Sequence, residues 1–273
     1  MKEVIKYVIE EDIGFEDITT NSLINKDEVV RSTIISKENG IIAGVEIAKD
    51  IFYYYGLNVI ALKKDGDKVL DKDIIMEIEG DARLILKLER TVLNILMRMS
   101  GIATITSQLI KKTNKKIIIA GTRKTLPGLG FIDKEAIKIG GGDSHRFSLD
   151  DLVLIKDNHI AIVGSLEKAI KLAKEKNSFT KKIEVEVGTC EDGIKAAKLG
   201  VDIIMLDNMT ISEINKTIAI LKEENLRDKV IVEVSGGVNP ENISSYGETD
   251  VDVISLGFIT HSAKSLDLSL NIK

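Results

Sequence analysis

Residues 183–208 read IEVEVGTCEDGIKAAKLGVDIIMLDN, and the fold is decided there. The stretch opens on a β-branched run, IEVEV, and breaks at Gly188-Thr189. It continues through the helical pattern CEDGIKAAKLG and returns to a second apolar run, VDIIMLD. A strand, a helix and a strand in that order form a unit of two parallel strands with a covering helix. The pattern extends outward on both sides. KIIIAGT (116–122) and LVLIKDN (152–158) come before it, VIVEVSGG (230–237) and VDVISLGF (251–258) after it, with helical patterns at 165–176 and 210–226. Strands that are apolar throughout are buried on both faces, which is the mark of a parallel sheet wrapped by helices.

Each of these runs ends in polar or glycine residues. They are Thr122-Arg123-Lys124, Lys156-Asp157-Asn158, Glu186-Val187-Gly188, Asp207-Asn208, Ser235-Gly236-Gly237 and Ser255-Leu256-Gly257. In an α/β barrel the carboxyl ends of the strands form the functional face, so these ends form one constellation. Alternation along a strand points Glu184 and Glu186 to one side and Val185 and Val187 to the other. A carboxylate facing a barrel interior is costly unless it is paired. Glu186 is therefore expected to meet a ligand hydroxyl, a cation or a lysine, whether for chemistry or only to hold the barrel, and Asp207 closes the next strand in the same place. The last two strand ends offer backbone N–H groups, and Asn239-Pro240-Glu241 resembles a helix start, so the pair suggests a phosphate cradle.

Between these strands, residues 121–159 hold Arg123, Lys124, Lys134, Lys138, His145, Arg146, Lys156 and His159, in a chain of net charge -5. Cations clustered inside an acidic protein point to a small, strongly anionic ligand rather than to nucleic acid. Gly140-Gly141-Gly142 supplies backbone able to turn or to approach a ligand closely. With 273 residues, 44% hydrophobic and 30% charged, the composition is that of a soluble globular chain, expected to be cytoplasmic and without a membrane partner. Its one cysteine, Cys190, excludes an internal disulfide and reads as a loop residue. Three histidines scattered along the chain assemble no zinc spacing.

Residues 1–112 read as a separate α+β unit. A short helix covers Lys2 to Ile9, and Asp17 or Thr19 caps or lines something in the turn-rich segment that follows. Two short strands flank Glu38-Asn39-Gly40, a helix ends at Gly56, and Asp65-Gly66 is the hairpin candidate. From Leu88 to Ala103 the apolar spacing is helical. Arg90 and Arg98 on that helix read by default as a solvated face.

The motifs EDIGFEDITT, LERTVLNILMRMSGIAT, TRKTLPGL, GGGDSHRFSLDDLVLIKDNH, IEVEVGT, IIMLDN, VSGGV and SLGFITHSAKSLDLSL resemble, in unbroken order over nearly the whole chain, the quinolinate phosphoribosyltransferase family. The resemblance implies an incomplete, open α/β barrel of parallel strands at 113–263. It also implies an N-terminal α+β sandwich domain at 1–112, to which 264–273 returns. It implies an enzyme of NAD biosynthesis that makes nicotinate mononucleotide, carbon dioxide and pyrophosphate from quinolinate and phosphoribosyl pyrophosphate, with Mg2+. Quinolinate is then surrounded by Arg123, Lys124, His145, Arg146 and Lys156, with Arg90 supplied by the second subunit of a homodimer, itself a unit for a hexamer of dimers. Phosphoribosyl pyrophosphate falls to Lys124, Glu186, Asp207, Ser235, Gly236, Gly237, Ser255, Gly257 and His261, and Mg2+ to Glu186 and Asp207. Lys124, Lys156, Glu186 and Asp207 are the expected catalytic groups. The chain departs from the family pattern at Gly130, Ser144 and Ser148, where Arg, Asn and Gly are usual. Three rivals stand beside this expectation. They are a paralogue associated with molybdenum uptake that lacks the Lys-Asp-Asn-His run of 156–159, an aldolase using Lys156 as a Schiff base, and a non-catalytic phosphosugar-binding protein.

Overall fold

The computed structural model describes residues 2–113 and 116–273. The chain divides into two compact units. One comprises 1–107, 124–141 and 259–273, and the other 108–123 and 142–258.

The first unit holds helices α1 (Lys2–Ile13), α2 (Ile18–Leu23) and α3 (Val45–Tyr54), and strands β1 (Val29–Ser36), β2 (Gly40–Ile41), β3 (Asn58–Ala61), β4 (Lys68–Val69) and β5 (Ile74–Asp81). Most of the long helix α4 (Ala82–Lys112) also belongs to it. Asp17 does cap α2, accepting the Thr20 backbone N–H at 2.9 Å. Asp81 plays the same part for α4, its Oδ1 accepting from Arg83 and Leu84 at 2.7 and 3.1 Å. The helical spacing holds, and Leu88, Val92, Leu96, Met99 and Ala103 are buried. The two strands flanking Glu38-Asn39-Gly40 form as β1 and β2, without pairing with each other. The Asp65-Gly66 turn, with Gly66 at φ 90°, does not close the expected hairpin. Instead β3 pairs with β5 and β4 with β2. The main sheet runs β12-β1-β5-β3, all antiparallel, where β12 is the last strand, Leu268–Ile272, which runs along β1.

The second unit holds β6 (Ile118–Ala120), β7 (Val153–Ile155), β8 (Ile183–Val187), β9 (Ile203–Asp207), β10 (Ile231–Ser235) and β11 (Val253–Ser255). They form one parallel sheet in the order β6-β11-β10-β9-β8-β7. That is the order of a barrel cut open between β6 and β7, as the sequence predicts. Between these strands lie α5 (Gly130–Ile139, assigned to the first unit), α6 (Asp157–Val163), α7 (Leu166–Lys176), α8 (Cys190–Lys198), α9 (Ile211–Glu223) and the one-turn α10 (Ile243–Tyr246). A second one-turn helix, α11 (Phe258–His261), follows β11. Cys190 is the first residue of α8, just after its N-cap Thr189. No helix among the described residues is long and apolar enough to cross a membrane.

Register explains how the sheet presents polar groups. Glu186 lies opposite Met205, Met205 opposite Glu233, and Asp207 opposite Ser235. Partnered residues of parallel strands point to the same side. Glu184, Glu186, Asp207, Glu233, Ser235 and Ser255 therefore share one face, while Val185, Ile204, Val232 and Ile254, each 0% exposed, pack the other.

Candidate functional site

At the carboxyl ends of β7 and β8, Lys156 Nζ pairs with Glu186 Oε2. One strand further, Asp207 Oδ2 accepts from Asn208 Nδ2 at 2.7 Å. Asn208 has φ 54°, a left-handed conformation that asparagine tolerates better than most residues. That turn throws its side chain back over the strand end and toward Gly236, itself at φ 78°. A Cβ on Gly236 would lie inside van der Waals distance of Asn208 Oδ1. The glycine is there because the Asn208 amide occupies the space.

Ser235 Oγ donates to the Ser255 carbonyl at 3.4 Å, and the buried Ser255 hydroxyl has no hydrogen-bond partner. Gly236 and Gly237 both have positive φ, and Gly257 follows β11 by two residues. The expected helix start at Asn239 is only a turn. Asn239 Oδ1 accepts from Glu241 and Asn242, and α10 is four residues long. The backbone after Gly237 is thus a turn, and α10 starts only at Ile243.

Among the cations, Arg146 is part-buried. Burial, then the like charge of Arg123, lowers its pKa, while Glu184 and Asp151 act the other way. Arg123 is exposed. His145 sits at φ 53° with its Nε2 3.1 Å from Glu233 Oε2 and 3.5 Å from Glu184 Oε2. The two carboxylates are 0% and 1% exposed. Burial, then Glu233, pushes the Glu184 carboxyl up to about 7, against the pull of His145, Arg146 and Lys156.

This elevation has a measurable cost. The folded pKa lies above the unfolded 4.5, so the contribution of Glu184 to stability is present in full below that value and is lost as pH rises through about 7. Glu184→Gln removes the titration. Relative to the parent chain it should gain on the order of 3 kcal/mol between acid and mildly alkaline pH. Urea midpoints of both proteins at the two ends of that range measure this, and parallel curves would contradict it.

Not every cation of the 121–159 run joins this group. Lys134 is 2% exposed within α5, and Lys138 pairs with Glu135 on the same helix. His159 Nδ1 accepts the Lys156 backbone N–H at 2.9 Å, securing the start of α6. In the glycine run Gly140 serves packing, since a Cβ there would lie 2.6 Å from the Ala103 carbonyl of α4, and Gly141 takes φ 91°. Of the departures, Gly130 opens α5 where a Cβ would meet Thr125 Oγ1 at 2.8 Å. Ser144 Oγ donates to the His145 carbonyl at 3.1 Å, and Ser148 to Asp150.

Lys124, Arg90 and His261 fall in the first unit. Lys124 is exposed, its carbonyl accepting from Thr260 Oγ1 at 2.7 Å. Arg90 is exposed on α4, in keeping with the solvated default. His261 is exposed, with Nδ1 2.6 Å from Ser262 Oγ. Arg98 breaks that default, bonding Asp133 through two nitrogens.

Sequence reasoning missed Glu233, which carried the signal already used for Glu184, a carboxylate inside an apolar strand in phase with a polar strand end. Asn208 was read only as part of a strand end, because its contact to the neighbouring side chain depends on a backbone angle.

Comparison with known proteins covers nearly the whole chain in two consecutive matches. Residues 17–100 match the model of the quinolinate phosphoribosyl transferase N-terminal domain, and residues 102–271 match that of the C-terminal domain. A protein of Methanothermobacter thermautotrophicus named probable nicotinate-nucleotide pyrophosphorylase [carboxylating] is 49% identical over 276 residues, covering 100% of this chain and 99% of the relative. The rat nicotinate-nucleotide pyrophosphorylase [carboxylating] is 36% identical, over 92% of this chain and 84% of its own. The crystal structure of nicotinate-nucleotide pyrophosphorylase from Ehrlichia chaffeensis superposes with a TM-score of 0.94 at 39% identity, covering 100% of this chain and 98% of that one. Both halves of the sequence match, and so does the fold as a whole; the chain belongs to the quinolinate phosphoribosyltransferase family.

Proposed function

We propose that the protein transfers the phosphoribosyl group of phosphoribosyl pyrophosphate to quinolinate and releases carbon dioxide, giving nicotinate mononucleotide and pyrophosphate for NAD biosynthesis. One observation carries this. Lys156 pairs with Glu186, Arg146 lies within the influence of Arg123 and Glu184, and Asp207 and Ser235 end the next strands of the same parallel sheet, an arrangement suited to an anion beside a sugar phosphate.

Quinolinate is a planar ring with two adjacent carboxylates, and guanidinium forks fit such groups two bonds at a time. Arg123 and Arg146 take the carboxylates with Lys156 beside them, and His145 lines the same wall. Lys124, next in the chain to Arg123, bridges the two substrates. Arg90, exposed on α4, is the contribution of a partner subunit in a dimer, a role supported by the family resemblance and by its exposure in the single chain. Glu186 and Asp207 hold the ribose hydroxyls. The backbone N–H groups of Gly236, Gly237 and Gly257, with Ser235 and Ser255, hold the 5′-phosphate, and the family resemblance adds His261 to the residues for phosphoribosyl pyrophosphate.

Mg2+ prefers oxygen donors and keeps most of its water. The donor chemistry of Glu186 and Asp207 fits. Each carboxylate has one oxygen fixed by a neighbour, Lys156 and Asn208 respectively, and Glu186 and Asp207 would be the residues to hold the ion. Bound there, Mg2+ would offset the charge that develops on pyrophosphate.

The pyridine nitrogen attacks the anomeric carbon as its bond to pyrophosphate breaks, through a state with oxocarbenium character. The pyridinium so formed accepts the electron pair left when the carboxylate next to the nitrogen departs as carbon dioxide, and that carbon then takes a proton. The protein's part is alignment and charge stabilisation, without a covalent nucleophile. The pairing of Lys156 with Glu186 argues against a Schiff-base lysine, which needs a neutral amine.

Incubating the protein with quinolinate, phosphoribosyl pyrophosphate and Mg2+ should yield nicotinate mononucleotide, carbon dioxide and pyrophosphate in equal amounts. Pyrophosphate release that does not depend on quinolinate would end this reading. Gly236→Ala tests the cradle. It crowds Asn208 and forces a side chain into positive φ at a cost of roughly 1–3 kcal/mol. The KM for phosphoribosyl pyrophosphate should rise about tenfold while that for quinolinate changes little, as initial rates against each substrate would show.

A further inference from the structure

His145, Glu184 and Glu233 meet on the buried inner face of the parallel sheet, and their arrangement exceeds what substrate contact requires. Both oxygens of Glu184 and Oε1 of Glu233 accept no hydrogen bond. Two buried carboxylates facing one imidazole cost stability that apolar residues of the same size would not. The ring's other nitrogen defines what the cluster does. Nδ1 accepts the backbone N–H of Arg146 at 2.8 Å. An accepting nitrogen carries a lone pair, so the ring proton sits on Nε2, aimed at Glu233 Oε2 3.1 Å away and at Glu184.

This tautomer rules out the obvious alternative. One donor atom from each of the three residues lies within 4.8 Å of the others, a spacing compatible with a metal ion. Ligation through Nε2 would need its lone pair, moving the proton to Nδ1 and against the Arg146 N–H. An imidazolium would meet the same clash. What remains is a strut from β8 and β10 through the ring to the peptide between His145 and Arg146. That peptide follows a residue at φ 53°, outside the ordinary range of a non-glycine residue, and the preceding peptide, between Ser144 and His145, is held by Asp143 Oδ1, which accepts the His145 N–H at 2.6 Å.

We infer that Glu233, with Glu184 beside it, is a positioning residue for quinolinate: it holds the His145 Nε2–H, and the ring in turn fixes the backbone that aims the Arg146 guanidinium. The inference rests on the reading of Arg146 as a quinolinate ligand. Glu184, when ionised, favours the charged form of Arg146, against the like charge of Arg123. His145 thus acts through Arg146, with both ring nitrogens engaged inside the protein.

Ring 15N NMR of the full chain tests this, since only three histidines are present. In the wild type His145 should be neutral with the proton on Nε2, and saturating quinolinate should leave that state unchanged. A proton on Nδ1, an imidazolium, or conversion on adding quinolinate would overturn the inference without any variant. Kinetics supply the second arm. Glu233→Leu removes the acceptor and should raise the KM for quinolinate about tenfold or more, with kcat and the KM for phosphoribosyl pyrophosphate moving less than about threefold. Glu233→Gln keeps an acceptor oxygen and should restore both the tautomer and the KM. A folded leucine variant with an unchanged quinolinate KM, or with both KM values raised alike, would refute the positioning role. If the wild type shows the tautomer but neither binds nor turns over quinolinate, the proposed substrate falls and the strut alone survives.

Discussion

Alanine at Arg146 should lower kcat/KM for quinolinate by roughly a hundredfold to a thousandfold, a loss of about 3–4 kcal/mol. A charge-assisted hydrogen bond contributes about 1.5–3 kcal/mol, and a fork that grips a carboxylate makes two. The local field adds to this. Arg146 is held part-buried beside Arg123, a like charge that disfavours its charged form. In the free protein this arrangement is costly, and a bound dianion relieves it, so the interaction is stronger than that of an arginine on open surface. Arg146→Lys should recover only part of the loss, because an ammonium is a point charge without the planar fork. The KM for phosphoribosyl pyrophosphate should stay within a few fold in both variants. Initial rates over a grid of both substrates measure these quantities, and an alanine variant with wild-type quinolinate kinetics would remove Arg146 from the site.

The parallel sheet was legible because its two signals are local. Each strand is a short apolar run, and each ends where polarity returns, so the strand positions followed from periodicity, and the candidate site from the polar strand ends. Parity carried Glu184 and Glu186 to one face, and the β8-β9 register places them there. The same argument applied to VIVEVSGG would have found Glu233. Other features depend on contacts distant in sequence or on a single backbone angle. The 121–159 run looked like one basic cluster because its residues are near in sequence. In the fold α5 takes Lys134 and Lys138 out of it, and His159 serves as a cap. The glycine run at 140–142 was ambiguous between ligand and backbone because a glycine reports only that something comes close. At Gly140 that something is the Ala103 carbonyl. The turn at Asp65-Gly66 forms, yet the strands it joins belong to different sheets, a choice made by burial and not by the turn.

Arg98 shows the same limit and leads to the largest expected effect on stability. Read from the sequence, it is one more cation on an amphipathic helix. In the fold its Nε and Nη2 donate to Asp133 Oδ1 and Oδ2 at 2.7 and 2.8 Å, across 35 residues that no helical periodicity spans. Asp133 is 0% exposed and its Oδ2 also accepts the Leu126 N–H at 3.1 Å. Arg98 Nη2 reaches the Thr260 carbonyl at 3.2 Å. The ion pair therefore ties α4, the 124–141 segment and the C-terminal segment together within the first unit. Arg98→Ala leaves a buried carboxylate without its counter-ion and should destabilise the protein by about 3–5 kcal/mol, lowering Tm by roughly 10 °C at a few degrees per kcal/mol. Removing both partners should hurt less than removing one. Arg98→Leu combined with Asp133→Leu eliminates the stranded charge, so the double variant should recover part of the loss, the remainder being the Leu126 and Thr260 contacts. A double-mutant cycle by thermal or urea unfolding gives the coupling directly, and a single variant within about 1 kcal/mol of wild type would mean that water reaches Asp133. The Leu126 bond makes a second, independent expectation. With Asp133 replaced, the Leu126-Pro127-Gly128 turn loses its anchor, and limited proteolysis under native conditions should cut at that turn in the variants before it cuts there in the parent chain.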